Sequence, residues 1–134
     1  MAVVKTDVEG VDIYPDEPGR VRRVDLVGPL DGAPNFTMRR FELSPGAATP
    51  DHSHDWEHEV LILDGDGTLN HKDGSSSFSV GDTVFVPPHE RHQFQNTGSD
   101  VLTFICVVPN SGHLAGLTGA ERSELVAAGI DCDG

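Results

Sequence analysis

Six of the seven histidines fall between residues 52 and 92. Three of them crowd into seven residues, His52-Ser53-His54-Asp55-Trp56-Glu57-His58. Imidazole is the commonest metal-ligating side chain and suits zinc, copper, iron and nickel. In an extended segment residues i and i+2 point the same way, so His52 and His54 can address one point. A turn through Asp55-Trp56-Glu57 would bring the chain back so that His58 opens the next strand facing that point. His58, Val60 and Ile62 would then share a face, and His92 would share one with Phe94 on a later strand. The pattern points to a metal site. His71 precedes a turn and His113 lies in a Gly-rich tail, so neither is expected to take part. No nucleophile–base arrangement stands out, and Gly65-Asp66-Gly67 is too acidic a turn to cradle phosphate.

The elements that must position these side chains are short. Gly and Pro recur every eight to twelve residues, at Gly28-Pro29, Ser44-Pro45-Gly46, Asp64-Gly65, Gly81-Asp82 and Pro87-Pro88 among others. Segments rich in Val, Ile, Leu, Phe and Thr lie between them. This is the signature of an all-β sandwich or barrel. Strands are predicted at 21–27, 35–43, 58–63, 67–71, 77–80, 83–86, 92–96 and 101–108, with an edge strand near Val11–Tyr14. Asp73-Gly74 reads as a hairpin turn, and 97–100 as a second hairpin joining the last two strands. One short helix is predicted from Thr118, its N-cap, to a stop at Gly129, with Glu121 completing a capping box. It is expected to cover one end of the barrel.

Two longer motifs then resemble those of the cupin superfamily. Gly46 is followed after five residues by His52-Ser53-His54, then by Glu59 after four, then by Gly65 and Gly67. Gly81 leads after five residues to Pro87-Pro88-His89, then to His92 and Asn96, with His89 standing where the family has glycine. The match is closer to small single-domain cupins carrying H-x-H-x-W-E-H-E, here His52 to Glu59. Ala33-Pro34-Asn35-Phe36, with Met38 and Arg39, is also similar to that subgroup. The resemblance implies one domain over residues 1–134: a double-stranded β-helix (jelly-roll) barrel over about 20–110 and an extension over 111–134. It also implies a homodimer and a four-histidine site of His52, His54, His58 and His92. That site would hold one divalent transition metal, manganese or iron foremost, with zinc, nickel, cobalt or copper also able to occupy it. The commoner cupin pattern would use Glu59 in place of His58. Adjacent strand residues point to opposite faces, and alternation does not choose between them, because Leu61 and Leu63 share the phase of Glu59. The Trp56-Glu57-His58 signature favours His58.

Four neutral imidazoles would leave open positions on an octahedral ion for water, substrate or dioxygen. Phe94, Phe104 and Cys106 are expected to line an apolar pocket. Arg39 or Arg40 should face inward, where an arginine can orient a carboxylate or enolate. The function expected is a metal-dependent, dioxygenase-like oxidoreductase acting on a small oxygenated molecule. The alternatives are a metal-dependent isomerase or lyase, or a non-catalytic binder of a small-molecule ligand.

Composition narrows the partners. Nine Lys and Arg stand against 22 Asp and Glu, for a net charge of −13. Such a polyanion is repelled by phosphate backbones and anionic lipid, so neither nucleic acid nor membrane is expected. An acid-rich, lysine-poor surface fits a salt-rich cytoplasm as well as an ordinary acidic protein. No apolar run approaches a bilayer span and no signal peptide is read, so a cytoplasmic location is expected. Cys106 and Cys132 are expected to be free thiols.

Overall fold

A computed structural model describes residues 2–130 of the chain; Cys132 lies outside them. Nine strands form two facing sheets. In chain order they are β1 (Gly10–Ile13), β2 (Val21–Val27), β3 (Phe36–Leu43), β4 (His58–Asp64), β5 (Gly67–His71), β6 (Gly74–Phe78), β7 (Thr83–Val86), β8 (His92–Gln95) and β9 (Leu102–Pro109). The larger sheet has the order β1-β2-β3-β9-β4-β7 and the smaller β6-β5-β8. Isolated bridges at Ala48–Gln95 and His52–His92 lay the segment before β4 along the free edge of β8. The all-β barrel is as expected. Two details differ. The first expected hairpin is real, but Gly74 already pairs with His71, so Lys72-Asp73 make the turn. The 97–100 connection is not a hairpin: β8 pairs with β5, whereas β9 lies between β3 and β4 in the other sheet. Asn96 holds this crossing. Its Nδ2 donates to Leu43 O at 2.9 Å and to Asp100 O at 2.8 Å, and its Oδ1 accepts from Gly98 N.

Alternation fills the space between the sheets. Phe41, Leu43, Val60, Ile62, Leu102, Phe104 and Val108 point inward from the larger sheet, and Phe78 and Phe94 from the smaller. Aromatic rings link the layers: Phe41 stacks on Phe104 at 5.3 Å, Phe104 on Phe94 at 4.8 Å, and Phe94 meets Phe78 at 6.2 Å. Burying each such side chain stabilises the fold by roughly 1.5–3 kcal/mol.

Two helices follow β9. The expected one is α2 (Gly119–Ala127), capped by Thr118 and Glu121 as predicted. Sequence reading missed α1 (Asn110–Ala115). Asn110 ties α1 down: its Nδ2 donates to Ala33 O at 2.8 Å, and its Oδ1 accepts from Thr37 Oγ1 at 2.7 Å. Gly112 of α1 and Gly116 just past it line the cavity at the histidines. Helix α2 is tied to β2 by Glu121, which pairs with buried Arg23. Among the described residues no helix is long and apolar enough to cross a membrane.

Candidate metal centre

The four histidines come from three pieces of backbone. His52 and His92 form a bridge, each N–H donating to the other's carbonyl at 3.1 and 2.9 Å, so their side chains emerge side by side. His54 lies two residues on, in the same extended segment. The chain turns at residues 55–57, and His58 opens β4 opposite Val86. Neighbouring ring centroids stand 4.6–4.9 Å apart. Ligand atoms of His52, His54 and His92 all lie within 4.8 Å of one another. His58 Nε2 is 2.9 Å from His54 Nε2.

Hydrogen bonds set the ring orientations. His92 Nδ1 is 2.9 Å from Glu90 O and His54 Nδ1 is 3.2 Å from Trp56 O. A carbonyl only accepts, so both Nδ1 atoms carry the proton and both Nε2 atoms present lone pairs to the cluster. His92 Nε2 is buried and has no partner. A buried nitrogen lone pair without a donor is destabilising unless a cation meets it. The donor set thus fits a divalent transition metal, with imidazoles rather than carboxylates as ligands. Burial and the neighbouring imidazoles lower the pKa of His54 to about 4 and of His58 to about 2, and that of His52 is lowered for the same reasons. Neutral imidazoles are what a metal requires.

The cavity behind the histidines measures about 70 Å³. Phe94, Phe104, Cys106 and Arg39 line it, as expected from the sequence. Cys106 Sγ lies 3.1 Å from His58 Nδ1 and accepts from Arg39 Nη2 at 3.5 Å. Burial raises the Cys106 pKa, so the sulfur stays a thiol. Arg39 faces inward, and Arg40 instead pairs with Glu42. Glu59 is exposed on the opposite face of β4 from His58. Trp56 stacks flat on His54, with centroids 3.9 Å apart. Sequence reading missed Tyr14, which lines the cavity from beyond β1 with a left-handed backbone (φ 57°), Gly112 on α1 and Gly116 just past its end. No periodic signal marks these three. His113 does not line the histidine cavity; it is 4% exposed and 4.0 Å from Asp25. His71 stands opposite His92 in the β5–β8 pairing, but its Nε2 bonds Ser76 Oγ at 3.0 Å and it does not line the cavity. A second cavity of about 110 Å³ lies between residues 28–31 and α2, with no cluster of imidazoles.

Comparison with known proteins agrees with this geometry. A cupin-domain family profile matches residues 39–108. The structure of the polyketide cyclase RemF from Streptomyces resistomycificus superposes with a TM-score of 0.73 at 31% identity, covering 82% of this chain and 79% of that one. A cupin 2 domain-containing protein from Halorhodospira halophila superposes with a TM-score of 0.65 at 34% identity, covering 67% and 64%. The oxalate-binding protein of Thermotoga maritima is 33% identical over 70 residues, which are 52% of this chain and 58% of that protein. Two facing sheets, both histidine motifs in place and this profile over half the chain establish that the protein belongs to the cupin family.

Proposed function

We propose that the chain is a metal-dependent enzyme, a dioxygenase-like oxidoreductase acting on a small oxygenated molecule, with one divalent metal held by His52, His54, His58 and His92. The observation that carries this reading is the buried, partnerless Nε2 of His92 beside the ligand atoms of His52 and His54. When bound, manganese or iron would supply Lewis acidity and electron exchange with dioxygen. The chain does the rest. Backbone carbonyls at Glu90 and Trp56 hold two imidazoles in the ligating tautomer, and Cys106 orients His58. Phe94 and Phe104 keep bulk water from the ligand, and a cavity of about 70 Å³ admits only a handful of heavy atoms. The test is elemental analysis of the protein as purified, followed by oxygen uptake with the Mn and Fe forms across small diketones, phenols and thiols. The expected result is one equivalent of metal and uptake lost in His92→Ala. Metal-free protein, or no uptake across the panel, overturns it.

The similarity to RemF, named a polyketide cyclase, favours a second reading in which the ion acts only as Lewis acid. Anaerobic exchange of substrate carbon-bound hydrogen with deuterated solvent, with no oxygen uptake, would select it.

Self-association belongs to the same proposal. Outward residues run in register across the larger sheet, Met38–Val107–Glu59–Phe85, with Phe36 and Leu61 beside them. Phe36 is 65% and Phe85 59% exposed. This strip, apolar but for the exposed Glu59, can face its own copy across a two-fold axis and supports a homodimer.

A further inference from the structure

Arg39 is a cation that the fold buries without an anion. It is 7% exposed on β3, its guanidinium lying 5.0 Å from the centre of the Phe41 ring. One Nη donates to the weak acceptor Cys106 Sγ, and Nε is buried with no acceptor at all. No carboxylate lies within ion-pair reach of it among the described residues. The other buried arginine shows how this fold treats a purely structural guanidinium. Arg23, 3% exposed, is paired with Asp25 at 2.8 Å and with Glu121. Acidic residues are not scarce in a chain with 22 of them. Yet no Asp or Glu lines the histidine cavity: its walls are imidazole, aromatic, thiol, threonine and glycine, with Arg39 the one fixed charge. A buried charge left uncompensated is strongly destabilising, and a guanidinium's flat donor fork matches a pair of coplanar oxygens.

We propose that Arg39 is the specificity residue of this cavity and that the ligand is a small organic oxyanion, a carboxylate or enolate, whose oxygens accept from Nε and Nη. This rests on the histidine cavity being the ligand site and names the class of molecule it takes. Tyr14, lining the same cavity, stays a neutral phenol because burial raises its pKa, so it does not compete with the anion for the guanidinium.

The test is a titration of the cobalt-loaded protein, read by its visible spectrum, with glycolate and with the neutral ligand imidazole. Arg39→Met is expected to weaken glycolate binding about ten- to hundredfold, the range for losing a charge-assisted hydrogen bond. Imidazole binding and metal stoichiometry should stay within twofold. Arg39→Lys keeps the charge, loses the fork, and should fall between. Should Arg39→Met not fold, judged by its melting curve, the lysine variant decides alone. Unchanged glycolate affinity in a folded variant, or an equal loss for imidazole, overturns the proposal. If the wild-type protein takes up no metal, that result counts against the metal centre. The arginine is then tested by glycolate binding to the metal-free protein, which must still depend on Arg39.

Discussion

His89 occupies the position where the second motif carries glycine, and it adopts glycine's conformation, with φ 67°. Its N–H donates to His54 O at 2.6 Å, so the loop ties the two histidine motifs together despite the substitution. Left-handed backbone costs a side-chain-bearing residue about 1–2 kcal/mol, and glycine's extra freedom in the unfolded chain returns about 0.5–1 of that. His89→Gly should therefore raise stability by about 0.5–1 kcal/mol in urea titration, with metal affinity unchanged. The choice between His58 and Glu59 was not legible from alternation, because both phases of β4 carry aliphatic residues. The reason is now visible: Val60 and Ile62 fill the core, while Leu61 and Leu63 are exposed on the outer side. Glu59 points outward toward Glu57, whose hydrogen bond raises its pKa. His58→Ala should lower metal affinity at least tenfold by competition with a chelator, the scale of losing a ligand or its support. Glu59→Ala should leave it unchanged; the reverse pattern would exchange the two roles.

Strands announced themselves through alternation between Gly and Pro, which is why β2, β5 and β7 fall on their predicted limits. Sheet membership did not, because a four-residue link between two strands looks alike whether it folds them together or carries the chain across the barrel. Helix α1 was illegible for another reason. Asn110-Ser111-Gly112 has loop composition, and the helix forms because Asn110 is anchored by β3 and the segment before it. Its glycine has a steric role: a Cβ at Gly112 would meet the Trp56 ring at 2.7 Å. Alanine normally favours a helix by about 1 kcal/mol over glycine, but overpacking against this half-buried ring costs about 1–3 kcal/mol. Gly112→Ala should thus lower the melting temperature, and, because Trp56 lies flat on His54, weaken metal binding as well. On the same helix, burial lowers the His113 pKa from 6.5 to about 4, with Asp25 opposing that shift. The unfolded chain takes up a proton there before the folded one does. The stability this neutral imidazole allows is present above pH 6.5 and is lost as pH falls toward 4, by about 1 kcal/mol per pH unit. His113→Leu should remove that share of the acid sensitivity in urea midpoints measured across the window.

At the scale of the whole molecule, two properties oppose each other. The charge of −13 drives copies apart, while in the proposed dimer the outer strip of Phe36, Met38, Leu61 and Phe85 would draw them together. The charge was countable in the sequence, but the strip was not, because its residues come from three strands, β3, β4 and β7, whose neighbour relations only the fold supplies. Salt separates the two forces. Screening shortens the reach of surface repulsion from about 30 Å at 0.01 M to about 8 Å at 0.15 M ionic strength, and it leaves apolar burial intact. Association should therefore tighten as salt rises, opposite to the behaviour of a contact built on ion pairs. Sedimentation equilibrium should show a mass of twice the 14.3 kDa chain in high salt and a shift toward the single chain in low salt. Phe85→Asp, at the β7 end of the strip and facing away from the histidines, should hold the protein at the single-chain mass at every salt concentration while keeping its metal. A wild-type mass that stays at one chain throughout removes the homodimer, and a dimer that survives Phe85→Asp moves the interface to another face.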